Sequence, residues 1–152
     1  MVKSFLALLL FVVLFGCGSA AEKPSGDPEE RVVAYLQKNV TPGKPVLVTE
    51  LLNDVFTTPE EQKAVRRLYD AVFQLPAFVA TTYTNTGKIP TRQDITNHFN
   101  FRVPGTTDVL LRVLESDPRV PPFFKRDPST GEITAVDVEA IRNADRFGDA
   151  LR

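Results

Sequence analysis

His98 is the only histidine in the chain, and it follows Asp94 by four residues. On a helix that spacing puts an imidazole and a carboxylate on one face, which supplies two ligands for a metal ion. Two fall short of the set a metal site needs, so the expectation is no metal, with His98 at or near the surface and unliganded. There is no second histidine for a hydrolytic site, no Gly-rich phosphate loop, and one thiol, Cys17. Acid pairs such as Glu60 with Glu61, or Asp137 with Glu139, suit the first turns of helices, where the macrodipole favours negative charge. No catalytic residue and no cofactor is expected. The remaining candidate is "RVPPFFKRDP", residues 119–128. Prolines stiffen the backbone and Phe123 and Phe124 offer a rigid apolar surface, as a protein-binding edge does. On a regular strand only one of the two points inward, which makes the other a protein contact. The alternative is a pair that alternates between core and surface on a strand without any partner.

The elements that position these residues lie in a chain of 152 residues, 43% hydrophobic and 24% charged, enough for one domain to bury its own core. Eighteen basic against nineteen acidic side chains leave a formal charge of -1, so nothing global draws the chain to nucleic acid or anionic lipid. Cys17 stands where an oily run stops. Residues 5–15 are eleven apolar residues, about 16 Å as a helix, against a hydrocarbon core of about 30 Å. With Lys3 in front and Gly16, Gly18, Ser19, Ala20 and Ala21 around and behind it, the run reads as a secretory signal peptide. Cleavage at "GSA" or "SAA" would discard Cys17.

The alternative rests on "LFGC", residues 14–17, which resembles the lipobox of bacterial lipoproteins: a Leu, two mostly small residues and an obligatory Cys. The resemblance covers the first 17 residues. It implies cleavage before Cys17, acylation of its sulfur and its new amino group, and attachment to a bilayer through that lipid. Gly18 in place of Asp after the Cys implies, by the same resemblance, the outer membrane facing the periplasm if the bacterium has two membranes. An acylated Cys17 leaves no thiol for a disulfide, so stability must come from packing. Residues 1–16 are then signal peptide, 17–27 lipidated Cys and a small, polar, proline-containing tether, and 28–152 a globular domain.

Asp27, Pro28 and Glu30 form a helix start, and Val32, Leu36 and Val40 continue as an apolar stripe, predicting a helix over 28–39. Residues 45–48 read as extended, followed by a helix capped by Thr49. Thr58, Pro59 and Glu61 open another helix, with Ala64, Val65, Leu68, Tyr69 and Val72 inward and Lys63, Arg66, Arg67 and Asp70 left to water. Pro76 should kink or end it. Residues 77–84, "AFVATTYT", suit a strand by composition and a helix by spacing; helix is preferred, ending at Gly87. Thr91 with Asp94 caps the next helix. Val109, Leu110, Val113 and Leu114 form the inner stripe of another, and "PFFKRDPSTGEITAV" reads as two strands around a turn through Asp127, Pro128 and Gly131.

Helix, helix, turn, helix and β-wing resemble a winged helix-turn-helix, and "TGKIPTRQDI" looks like the matching stretch of SOS-response repressors. The expected fold is mainly α with a small β-wing, a winged-helix-like helical domain behind a lipoprotein signal peptide. The resemblance implies a third helix in the DNA major groove with Lys125 and Arg126 on phosphates. The charges oppose it: from 106 to 117 there is one base, Arg112, against Asp108, Glu115 and Asp117. The expected function is therefore an exported, membrane-anchored lipoprotein of the cell envelope. Its role is structural or protein-binding, with the membrane and an envelope protein as partners and no nucleic acid. A winged-helix regulator, or an enzyme with an unrecognised site, is the alternative.

Overall fold

The computed structural model describes residues 26–144, so the proposed signal peptide, Cys17 and nearly all of the tether lie outside the described residues. Helix α1 (Pro28–Asn39) starts where the Asp27 carboxylate accepts the Glu29 amide at 2.9 Å, with Pro28 at the first helical position. Its stripe of Val32, Val33 and Leu36 is buried, and Val40 follows it into the core. The next segment departs from expectation. Helix α2 (Val48–Glu50) is a single turn that begins after Leu47, with no side-chain cap, rather than at Thr49. It passes directly into a π-helical turn (Leu51–Val55), closed by the Phe56 amide donating to the Leu51 carbonyl at 2.7 Å. Both ends of that turn, Leu51 and Phe56, are buried. Core anchoring of two residues five apart accounts for the wider turn.

Helix α3 (Pro59–Thr86) is the spine of the molecule. Thr58 and Glu61 form a capping box, and Gly87 ends the helix in the left-handed region at φ 68°. Pro76 neither ends it nor opens a strand at 77–84: the helix runs 28 residues through it. Proline costs the Val72 carbonyl its partner, an expense of about 3 kcal/mol inside a helix. Leu68, Val72, Leu75 and Val79 continue one buried stripe across the proline, and their packing holds the helix together. The buried Tyr69 hydroxyl donates to the Val46 carbonyl at 2.7 Å and ties the segment before α2 to this spine.

Helix α4 (Arg92–Phe99) opens with the expected capping box of Thr91 and Asp94 and closes at Asn100, whose φ is 52°. Helix α5 (Thr106–Ser116) starts after Gly105, also left-handed at φ 79°. It packs against α1, α3 and α4, with Val109, Leu110, Leu111, Val113 and Leu114 buried. Strands β1 (Phe124–Arg126) and β2 (Ile133–Val136) pair antiparallel, with a bulge between Lys125 and Arg126. Helix α6 (Val138–Asn143), capped by Asp137, returns to pack on α3. The result is a mainly helical fold with a small two-stranded sheet.

One expectation about this hairpin is overturned. Phe123 and Phe124 are both buried, at 3% and 8% exposure, so neither is the surface contact that strand alternation implied. Phe123 precedes the first paired residue and its carbonyl accepts the Asp137 amide at 2.9 Å, so the alternation rule does not reach it. The two rings meet edge to face with centroids 6.3 Å apart, beneath the exposed Pro121 and Pro122.

Candidate functional site

His98 and Asp94 share a helix but not a task. The Asp94 carboxylate accepts the Thr91 amide at 2.8 Å and hydroxyl at 2.7 Å, and these bonds hold its carboxyl below the usual range. The exposed His98 ring lies flat on Phe78, with centroids 3.8 Å apart. Among the described residues no group of three His, Cys, Asp or Glu side chains is placed to hold a metal ion. The acid pairs sit at helix starts. Asp137 accepts the Ala140 amide at 2.8 Å, and Glu61 closes its capping box while pairing with Arg31 at 2.9 Å. Burial of Glu61 opposes its charge, yet Thr58 and Arg31 outweigh burial and lower its pKa.

The charges of α5 turn out to be structural. Glu115 receives Arg126 through two bonds of 2.9 Å, Asp108 receives Arg92 at 2.8 Å, and Arg92 reaches Glu132 at 3.2 Å. The chain of ions Glu115, Arg126, Asp108, Arg92, Glu132 clamps the hairpin to α5 and α4. Arg126, expected to face phosphates, is thus committed internally. On α5 only Glu115 is fully exposed, with Asp108 and Arg112 half-buried. A helix that reads a major groove must offer it a free face, and this one is packed from several sides.

Two open grooves remain. The first, about 480 Å³, lies along the hairpin between Pro122, Lys125, Val136 and Val138, with edges of the Phe123 and Phe124 rings in its wall. The second, about 470 Å³, lies between α3 and the turn joining α4 to α5, over Ala71, Phe99 and Phe101, with Lys63, Arg66 and Asp70 at its rim. Phe99 and Phe101 are stacked 5.5 Å apart, and Phe99 meets Phe78 and His98 edge-on, forming a partly exposed aromatic row.

Arg67 forms one wall of this second groove. It was expected to face water, but it donates to the Asn100 carbonyl at 2.7 Å and to the Phe99 carbonyl at 3.3 Å, and it pairs with Glu29. Glu29 is 2% exposed, and its other oxygen has no hydrogen-bond partner. Arg102 completes the knot, 3.2 Å from Asp27 and 3.5 Å from Glu29. Nothing in the spacing of these residues announces the knot, because Glu29 lies 38 positions from Arg67. Compared with protein-family models, with curated proteins and with solved structures, the chain matches none.

Proposed function

We propose that this protein is an exported bacterial lipoprotein, anchored to a membrane of the cell envelope through Cys17, whose helical domain has a structural or protein-binding role rather than a catalytic one. The observation that carries the reading is in the sequence. The chain's single thiol closes an apolar run too short to span a bilayer, inside "LFGC" and directly before a small, polar segment. Acyl chains on Cys17 would hold the domain at a bilayer at about 0.8 kcal/mol per buried CH₂. Gly18 favours the outer membrane on the same resemblance. Replacing Cys17 with Ser tests it: the expected result is a full-length precursor that takes up no palmitate. Normal cleavage and release of the variant would remove the reading.

The order of α3, α4, α5 and the hairpin supports a winged-helix-like plan for the domain, and that plan raises DNA binding as a second reading. The burial of α5 and the internal pairing of Arg126 speak for the plan as a packing scaffold. Duplex affinity comes mainly from neutralising phosphates, and Asp108 and Glu115 already occupy the arginines nearest α5. Titration of the protein with duplex DNA at physiological salt should give no micromolar binding; such binding, lost on Arg112→Ala, would favour the second reading.

A further inference from the structure

We propose that the groove between α3 and the α4–α5 turn is the face this protein lays on the bilayer, where Lys63 and Arg66 take the phosphates of anionic lipid headgroups. The inference rests on the lipid-anchor reading, and it starts from where the chain enters the fold. Asp27 and Glu29 are pinned by Arg102 and Arg67, and Arg67 is itself a wall of the groove. The point at which the segment from Cys17 joins the domain is therefore fixed beside the groove rather than left to swing.

Chain length then restricts the orientation. Asp27 is ten positions on from Cys17. Ten residues reach at most about 36 Å fully extended, and a chain of that length without fixed structure averages about 17 Å end to end. A compact domain of this size is about 36 Å across. Turning the opposite pole to the lipid would need the segment stretched close to its limit around the domain, so the face beside Asp27 is the one kept at the headgroups.

Charge selects the surface on that face. Arg31, Arg67, Arg92, Arg102, Arg119 and Arg126 all have carboxylate partners. Lys63 and Arg66 are exposed and make no ion pair among the described residues. Asp70 is the carboxylate in the groove lining, and Glu60 is the other exposed acid on this half of α3, so the cations are not fully offset locally. Beneath them Phe99 and Phe101 give an aromatic floor, the side-chain type that sits well at headgroup depth. Two unpaired cations over aromatic rings, beside the root of a lipid anchor, fit an anionic interface.

The test uses the full chain, purified from membranes with Cys17 acylated and reconstituted into phosphatidylcholine vesicles with or without phosphatidylglycerol. With Cys17 blocked by its lipid, Gln74→Cys in the groove or Lys44→Cys gives a single thiol for a fluorophore. Lys44 lies just beyond the far end of the 12-residue helix α1, at least about 18 Å from the root. The expected result, with a headgroup-linked quencher, is severalfold stronger quenching at position 74 than at 44. It should require phosphatidylglycerol and be lost in Lys63→Glu with Arg66→Glu, while the protein stays anchored. Equal quenching at both positions, or quenching at 74 indifferent to anionic lipid and to the charge reversal, would overturn the proposal, and the latter result would point to an acidic protein as the occupant of the groove. A free thiol at Cys17 in the purified chain is a separate failure, of the anchor reading itself, and is read by mass before any vesicle is made.

Discussion

Truncating Phe124 to Ala should destabilise the domain by about 3–5 kcal/mol, because a buried ring is lost and the hairpin cannot collapse fully into the space. Urea melts check this, and a change within about 0.5 kcal/mol, as for a surface residue, would show that the ring does not carry the packing assigned to it. Arg67→Ala should be nearly as severe, about 3 kcal/mol, since it strands the buried Glu29 carboxylate with only Arg102, at 3.5 Å, for compensation. Arg67→Ala in a Glu29→Gln background should cost less, because the stranded charge is gone. These residues also mark the limit of what the sequence discloses. Asp27, Thr58 and Thr91 were readable as caps because a cap is a contact between near neighbours. Arg67 and Phe123 were misread because their surroundings come from distant segments: Glu29 and the carbonyls after α4 for one, the α6 entry for the other.

At the scale of elements, local chemistry accounts for the helix ends and fails where packing overrides it. Helices α1, α4 and α5 and the hairpin follow from caps, stripes and turn residues. The π-turn after α2 and the passage of α3 through Pro76 do not, because in both places core anchoring outweighs a backbone preference. The turn between β1 and β2 offers a pH test. Asp127 accepts the Ser129 hydroxyl and the amides of Ser129 and Thr130, which lower its pKa from 3.8 to about 2. A depressed folded-state pKa contributes stability that is present above the unfolded value near 3.8 and is lost as pH falls through about 2. Urea midpoints measured across that window should fall less steeply for Asp127→Ala than for the unmodified protein; parallel curves would contradict the assignment. Gly87→Ala should cost about 1 kcal/mol from backbone strain alone, as no atom lies within 4 Å of the added methyl.

For the whole molecule, one core joins α1, α3, α5 and the hairpin, and α5 sits near its centre. Leu110→Ala should therefore cost about 2–5 kcal/mol, with the domain unfolding as a single transition in urea monitored by circular dichroism. The mainly helical architecture with a small hairpin was legible because capping and periodicity are local signals. The candidate surfaces were not, since a groove is formed by elements remote in sequence, and the aromatic pair singled out beforehand went into the core. The functional reading stands on Cys17, outside the described residues, and on the neighbouring sequence. The measurement that bears on it most directly is the intact mass and N-terminal peptide of the protein purified from membranes of the bacterium that makes it. The account predicts a mature chain beginning at Cys17 with acyl groups on its sulfur and amino group; a mature chain beginning beyond Cys17, or one that retains residues 1–16 with a free thiol, would contradict it.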